Sequence, residues 1–262
     1  MSRSIASLTD ALRMDVPRSG APIEMVPMET AVVRERVEAE GVVRLDAPGL
    51  SAEDFAAFMA TLGEPMFTRG ETPHDTLPDL NVVTNVGRTT KPKSVFHSDT
   101  TYVARPPSYS GLYAAEVPEE GGATLFVDQY RAYETLPARM RAALDGATML
   151  HSVTGVELGP EDEREARHPV VRRHPGTGRR ALYLTTPARC SALRLANGED
   201  RSDLIATLYD HSLETQPRRH RWSVGDVLVW DNRCTLHAAD HSGVVGNRTL
   251  YRALTLGEVP AH

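Results

Sequence analysis

The chain has 262 residues, of which 40% are hydrophobic and 24% charged, and its formal net charge is −6. This composition is typical of a soluble globular enzyme with a substantial core, and the negative charge argues against a nucleic-acid or anionic-membrane partner. No apolar run approaches the roughly 18 residues that cross a bilayer, and the N-terminus lacks the apolar centre of a secretory signal. The two cysteines, Cys190 and Cys234, fit no disulfide framework, which indicates buried thiols in a reducing cytoplasm.

The first elements predicted along the chain are two helices with a strand between them. Residues 28–41 have helical spacing and end at a glycine, and residues 42–47 follow as a buried strand. Residues 51–63 begin with Ser51 and Asp54 in capping-box positions and also end at a glycine, which predicts the second helix.

From about residue 80 the chain changes to short β-rich runs separated by turns. These runs are LNVVTN, SYSGLYAAEV, ATLFVD, TMLHSV, HPVVRRH, RALYLTT, DVLVWDN and RTLYRALTLG. Two helical insertions, at 130–146 and 199–215, interrupt them. The pattern predicts a mainly β fold with flanking helices, a jelly-roll-like double sheet, with a mixed α+β open sheet as the alternative. We expect one domain over 1–262, in which 1–24 form a peripheral N-terminal segment.

Two polar stretches, near 67–78 and 155–167, are rich in Gly, Pro or charge. Long loops in compact domains are often functional. Each stretch is therefore either a solvated connection or a lid over a pocket.

The run KSVFHSDTTY places His97 and Asp99 two residues apart. In a strand, residues two apart project to the same face, so an imidazole and a carboxylate could address one metal ion. With 10 histidines in the chain, such a pair also arises by chance. A third ligand is needed, because two histidines and one carboxylate form the facial arrangement of non-heme Fe(II) oxygenases.

His237 stands out among the candidates for a third ligand because it follows the apolar strand and WDNR of VLVWDNRCTLHAAD. His241 would lie beside it on a helix, as in zinc proteases, but strand-like runs and glycines surround the pair and the HExxH glutamate is absent. A surface or hydrogen-bonding role, or a core position for His151, is expected of the others. They are His74, His151, His168, His174, His211, His220 and His262.

The motifs FHSDTTY, GGATLFVD, HPVVRRHPGTGRRALYL, WDNRCTLHAA and NRTLYRALTLG occur in the order and approximate spacing of the TauD/TfdA family. The chain resembles this family from about residue 25 to 258. The resemblance implies a double-stranded β-helix core of the jelly-roll, cupin-like type, Fe(II) as the metal, and 2-oxoglutarate and O2 as cosubstrates. It further implies oxidation of a small anionic substrate with release of succinate and CO2, and a homo-oligomer, dimer or tetramer.

The resemblance also implies a role for individual residues. It assigns the iron to His97, Asp99 and His237. It assigns the carboxylate of 2-oxoglutarate to Thr124 and Arg248, and the anionic group of the substrate to Arg252.

The two arginines support this assignment on physical grounds. Arg248 and Arg252 alternate along a predicted strand, so both should face the same side. Two inward guanidiniums are unfavourable in an apolar core unless each meets an anion, which a guanidinium can bind bidentately. The alternative is that one of them, more readily Arg252, forms a salt bridge within the protein.

Lys93 is the informative departure from the family pattern. It stands four residues before His97, where taurine dioxygenases of the family have an asparagine that helps to hold the substrate. In the pocket, Lys93 would add a positive charge beside Arg252 and change how an amine-bearing substrate is received. The alternative is a solvent-exposed lysine.

Other functions are alternatives to this one. The same site could support oxidative desaturation or the cleavage of a sulfonate or aryloxyalkanoate, whereas Asp99 argues against a halogenase, which lacks the carboxylate ligand. A catalytically silent jelly-roll binding protein should lack a ligand or an arginine, and none is missing. A zinc hydrolase would need a general base, and no candidate has the required spacing.

Overall fold

The computed structural model describes residues 20–68, 70–87 and 95–262. The helices in these ranges are α1 (Thr30–Glu40), α2 (Ala52–Leu62), α3 (Gln129–Thr135), α4 (Ala138–Leu144) and α5 (Leu204–Glu214), with a 3-10 turn at Pro187–Arg189. The strands are β1 (Glu24–Pro27), β2 (Val42–Asp46), β3 (Pro65–Met66), β4 (Asn81–Thr84), β5 (Pro107–Glu116), β6 (Thr124–Asp128), β7 (Thr148–Ser152), β8 (Glu165–Pro169), β9 (Val171–Arg173), β10 (Arg180–Leu182), β11 (Cys190–Arg194), β12 (Arg218–His220), β13 (Val227–Asp231), β14 (Thr235–Ala239) and β15 (Thr249–Leu256).

The strands form one large sheet and several smaller ones. The major sheet has the order β1-β2-β13-β5-β15-β3, and β4 also pairs with β15. Its pairings are antiparallel except that between β1 and β2. The minor sheet has the antiparallel order β12-β6-β14. A third sheet, β11-β7-β8, and the β9–β10 hairpin lie outside these two.

The major and minor sheets face each other across a buried apolar layer. In it, Phe126 of β6 packs with Leu112, Trp230 and Leu250 of the major sheet. The helices α1 and α2 cover the major sheet through a second apolar cluster, and α3 to α5 pack with the third sheet against β6 and β14. This arrangement confirms the jelly-roll prediction of a mainly β fold and excludes an open α+β sheet.

The early elements match the sequence prediction closely. Helix α1 ends where Gly41 has a φ of 80° and donates its N–H to the carbonyl of Val37, as expected of a glycine after a helix. At the start of α2, the Ser51 hydroxyl accepts from the backbone N–H of Asp54 at 3.1 Å. The predicted cap is therefore present, although the Asp54 carboxylate meets the Ser51 hydroxyl and not the backbone.

Several predicted bounds are wrong in detail. The insertion at 130–146 is two helices, because Pro137 interrupts it and Leu136 takes an extended conformation. The insertion at 199–215 becomes helical only at Leu204. The sequence also did not predict strands β1, β3, β8, β11, β12 and β14, each of which has five residues or fewer.

Both cysteines are free, with Cys234 buried and Cys190 partly buried. None of the helices in the described ranges has both the length and the apolar character of a membrane span. Most of the segment 1–24 lies outside the described residues, which begin at Gly20.

Candidate active site

The minor sheet places two histidines side by side. His97 forms an isolated antiparallel bridge with His237 of β14, in which each backbone N–H donates to the other residue's carbonyl at 2.9 Å. Directly opposed residues in such a pair have neighbouring side chains, and the centroids of the two imidazole rings are 4.3 Å apart.

Asp99 joins this pair by a route that the sequence did not predict. Only the bridge at His97 continues the sheet, and the chain then turns at Thr100, where φ is 44°. The expectation of a strand through Asp99 is therefore wrong, because this left-handed turn ends the extended conformation. The turn nevertheless returns the Asp99 carboxylate to the histidines, with Oδ1 3.7 Å from Nε2 of both His97 and His237.

These three side chains form a group with the geometry of a metal site. One donor atom from each of His97, Asp99 and His237 lies within 4.8 Å of the others. His97 Nδ1 is 3.0 Å from the Val95 carbonyl, so a proton there leaves the Nε2 lone pair free for a metal. Two imidazole nitrogens and one carboxylate oxygen are the donor set of a non-heme Fe(II) site, so the residues fit this metal.

The electrostatics of the group keep its donors ready to bind. Burial lowers the pKa of His237 to about 3, so this imidazole is neutral near pH 7. Burial opposes ionisation of Asp99, but the charge of Arg252 and the Ser110 hydrogen bond favour the carboxylate, and the pKa of Asp99 lies below its usual range. A neutral imidazole and an ionised carboxylate are the forms that bind a metal.

A buried hydrogen-bond chain fixes the Asp99 carboxylate. The Ser110 hydroxyl donates to Asp99 Oδ2 at 2.8 Å, and the Asn232 amide donates to the Ser110 oxygen at 2.6 Å. The Trp230 indole in turn donates to Asn232 Oδ1 at 3.2 Å. Such partners orient metal ligands. Sequence reasoning missed Ser110 and Asn232, for which the only signal was the position of Asn232 within WDNR, before His237.

A cavity of about 110 Å³ adjoins the three donors. Its lining includes both imidazoles and, beyond them, Thr124, Arg248 and Arg252. Both arginines therefore face one cavity, as their predicted alternation requires, although Arg248 lies one residue before β15 begins.

Arg248 is buried without an acidic partner among the described residues. Its Nε donates to the carbonyl of Gly122 at 3.0 Å, and its Nη2 donates to the Thr124 hydroxyl at 3.4 Å. Burial lowers the pKa of Arg248 to about 10. A Cβ on Gly122 would lie 2.9 Å from Pro118 and 3.1 Å from Arg248, so glycine permits the close approach. An uncompensated buried guanidinium suits an anionic ligand.

Arg252 differs because two carboxylates contact it. Nη1 is 3.4 Å from Asp99 Oδ1, and Nη2 is 3.1 Å from Glu71 Oε1. Its Nε is buried and has no hydrogen-bond partner in the described part of the chain. The protein salt bridge weighed as the alternative for Arg252 is thus present, and one polar atom is left to accept a further ligand.

Glu71 belongs to the predicted loop 67–78, which lies against the site in its described residues. Thr68 hydrogen-bonds Thr100 at 3.2 Å, and the ring of His74 meets Tyr251 edge-on at 4.6 Å. In the other predicted loop, Glu163 accepts from the backbone N–H of Ala104. Lys93 lies outside the described residues, so its predicted contact with the pocket stays a prediction.

The charged residues of WDNR stabilise the scaffold. Asp231 is buried, with Oδ2 2.9 Å from His174 Nε2 and 2.6 Å from Arg233 Nη2. Arg233 Nη2 also lies 3.1 Å from Oε1 of Glu38 in α1. Burial opposes ionisation of Asp231, but Arg233 and the His174 hydrogen bond hold its pKa below the usual range. This network ties β13 to α1.

The other candidate histidines join no such donor group within residues 20–68, 70–87 and 95–262. His151 and His168 lie buried around the ring of Tyr183. His211 meets the Ala132 carbonyl, and His220 meets Asp226.

Comparison with known proteins gives a consistent result. A family model described as "Taurine catabolism dioxygenase TauD, TfdA family" matches residues 20–254. The alpha-ketoglutarate-dependent 2,4-dichlorophenoxyacetate dioxygenase of Cupriavidus pinatubonensis is 35% identical over 63% of this chain and 60% of the relative. The alpha-ketoglutarate-dependent sulfate ester dioxygenase of Pseudomonas putida is 30% identical over 98% of this chain and 94% of the relative.

A solved structure shares the fold over nearly the whole chain. The crystal structure of a taurine dioxygenase from Burkholderia xenovorans superimposes with a TM-score of 0.76 and 30% identity, covering 92% of this chain and 91% of the other. By contrast, the chain spans only 60% and 58% of the length of two 2,4-dichlorophenoxyacetate dioxygenases that it matches. Together the matches confirm the family indicated by the motifs and the dependence of that family on 2-oxoglutarate.

Proposed function

Because the chain belongs to the TauD/TfdA family, we propose that it is an Fe(II)- and 2-oxoglutarate-dependent dioxygenase that oxidises a small anionic substrate. One observation carries the proposal. The donors of His97, Asp99 and His237 converge at a cavity that Arg248 and Thr124 line together with them.

In this proposal, the three donors hold Fe(II), and Arg248 with Thr124 holds the distal carboxylate of 2-oxoglutarate. The carboxylate would supply the charge that the buried guanidinium of Arg248 lacks among the described residues, and would return its pKa toward the ordinary value. When bound, Fe(II) with 2-oxoglutarate and O2 supplies the oxidising chemistry, and the cosubstrate leaves as succinate and CO2.

Arg252 is the proposed contact of the substrate anion. It lines the same cavity, and its unpartnered Nε gives a bidentate anion one of the two donors it needs. Glu71 occupies the other donor, Nη2, so an anion must share or displace that contact. We therefore assign Glu71 to the substrate end of the site.

The names of relatives support the substrate class. They include a sulfate ester dioxygenase and a 2,4-dichlorophenoxyacetate dioxygenase, whose substrates carry an anionic group. We propose a carboxylate, amino acid, sulfonate or sulfate ester for this chain, with hydroxylation as the first step. Desaturation of the substrate, or cleavage after hydroxylation, are alternatives at the same site that product analysis distinguishes. Lys93 stays a proposed second contact of the substrate.

Three further expectations stay proposals. We propose a single domain over 1–262, which the two facing sheets and the family match over residues 20–254 support. The free cysteines, one buried and one partly buried, support a reducing cytoplasmic environment. A dimer or tetramer is expected from the family resemblance, and the mass in solution would test it.

An anaerobic titration tests the proposed function. Fe(II) and 2-oxoglutarate added together should produce a weak visible charge-transfer band, and His97→Ala should abolish it. The control is each component added alone, which should give no band. Absence of the band in the intact protein, or an unchanged band in His97→Ala, would show that the metal assignment is wrong.

A further inference from the structure

Trp222 contacts the proposed cosubstrate site from outside the cavity. Antiparallel pairing sets His220 of β12 opposite Thr124 of β6, and the chain continues from His220 to Trp222. There the indole packs edge-on against His220, with ring centroids 4.7 Å apart, and its Nε1 donates to the Thr124 hydroxyl oxygen at 3.0 Å. Trp222 does not line the cavity that contains the metal donors.

The Thr124 hydroxyl oxygen therefore accepts two hydrogen bonds, from Trp222 Nε1 and from Arg248 Nη2. A hydroxyl has two acceptor lone pairs and one proton. An indole N–H and a guanidinium are donors only and can accept no proton. Both lone pairs are thus engaged, and the proton of Thr124 can point to neither partner.

Within the described part of the chain the Thr124 hydroxyl donates no hydrogen bond, although Thr124 is buried at the cavity wall. A buried donor without an acceptor is unfavourable. A carboxylate oxygen in the cavity would satisfy it with a charge-assisted hydrogen bond, which is stronger than a neutral one.

We propose that Trp222 is a positioning residue for 2-oxoglutarate. With Arg248, it occupies the lone pairs of Thr124 and so commits the Thr124 hydroxyl to donate to the distal carboxylate of the cosubstrate. Trp222 acts through Thr124 and does not touch the ligand. The inference rests on the proposed binding of 2-oxoglutarate and adds a residue outside the cavity to that site.

The test compares two acids that differ only at the distal end. 2-Oxoglutarate has the distal carboxylate, and 2-oxopentanoate has a methyl group there while keeping the metal-chelating 2-oxo acid. Affinities of both are measured anaerobically by calorimetry on the Fe(II)-loaded full chain, so that the readout is binding and not turnover. Trp222→Phe keeps a ring but removes the donor. Because the Thr124 hydroxyl remains but loses a donor that fixes its orientation, the variant should weaken 2-oxoglutarate about threefold, as expected when a rotor regains its other two staggered orientations, and leave 2-oxopentanoate unchanged.

Two variants control the experiment. Thr124→Val removes the hydroxyl with little change of shape and should give a larger selective loss, about 10-fold, as expected for a hydrogen bond to a charged group. Adding Trp222→Phe to Thr124→Val should then weaken 2-oxoglutarate no further. Trp230→Phe removes the chain's other indole, which donates to Asn232 near the metal donors, so any loss it causes should be equal for both acids.

The outcomes separate this inference from the proposed function. If the unaltered protein does not bind 2-oxoglutarate, the proposed function fails. If it binds and Trp222→Phe weakens both acids equally or neither, the role of Trp222 is overturned. Should Trp222→Phe fail to fold, Thr124→Val decides alone. If Thr124→Val changed the affinity for both acids by the same factor, the Thr124 hydroxyl would donate no hydrogen bond to the distal carboxylate, and the role of Trp222 would be overturned with it.

Discussion

Replacing Glu71 with glutamine tests how the proposed substrate site handles charge. Glu71 Oε1 lies 3.1 Å from Arg252 Nη2, while Arg252 Nε has no partner among the residues described. A bidentate anion on the Nε–Nη2 edge would compete with Glu71. Glu71→Gln keeps the size of the side chain and removes the competing charge, so it should strengthen the binding of simple anions.

The size of the effect follows from the exposure of the pair. The side chain of Glu71 is 38% exposed and that of Arg252 is 12% exposed. Solvent screens such a partly exposed pair, so it is worth about 1 kcal/mol. If the anion no longer has to displace Glu71, the whole of this energy adds to its binding to Arg252, which corresponds to about a fivefold gain in affinity.

The assay uses the small acid that best stimulates succinate formation by the unaltered protein. Glu71→Gln should lower its KM about fivefold with little change in kcat, because the competition affects binding. Asp75→Asn is the matched control, since Asp75 is an exposed carboxylate of the same loop, and should leave KM unchanged. A raised KM in Glu71→Gln would refute the reasoning, because it would mean that Glu71 attracts the substrate.

Three other predictions concern the scaffold of the site. Ser110→Ala removes the donor to Asp99 Oδ2 and should weaken Fe(II) binding about 10- to 100-fold, measured by metal titration with circular dichroism as a check of folding. Asp231→Asn breaks a buried ion pair and should lower the free energy of unfolding by about 3–5 kcal/mol in urea at pH 7. Because folding lowers the pKa of Asp231, its ionised carboxylate stabilises the protein at pH values above the unfolded pKa of about 4, and this stabilisation is lost as pH falls through the folded pKa. The difference in stability between the variant and the unaltered protein should therefore shrink in acid. Burial lowers the pKa of His151 to about 3, so the folded protein should lose stability as pH falls from about 6.5 toward 3. His151→Leu should therefore reduce the decrease in Tm between pH 7 and pH 5. An unchanged slope of Tm against pH would contradict this prediction.

Local pattern accounts for the parts of the site that the sequence predicted. The alternation of Arg248, just before β15, and Arg252, within β15, sufficed to place both side chains at one cavity, because side-chain direction in an extended chain has a period of two. The spacing of His97 and Asp99 gave the right pairing for a partly wrong reason, since a turn and not a strand brings Asp99 back. The family motifs supplied the rest of the donor set.

The residues that were missed are those whose roles depend on distant chain segments. Ser110 of β5 meets Asn232, which directly follows the neighbouring strand β13, and Glu71 reaches Arg252 from a loop whose path no periodicity predicts. Trp222 lies in a polar run that shows no motif in the sequence, and only the pairing of β12 with β6 brings it to Thr124. Such contacts follow from strand pairing and register, which a single sequence does not fix.

The backbone bridge between His97 and His237 also bears on the order in which the protein is assembled. The two residues lie in different halves of the chain, and their pairing completes an edge of the minor sheet only after β14 has been made and paired with β6. Because closing so long a loop is entropically unfavourable until many other contacts exist, we expect the two histidines to meet late in folding. We therefore expect a nascent chain that contains His97 and Asp99, but not yet β14, to lack the complete metal-donor group, and metal loading to follow the pairing of the two sheets.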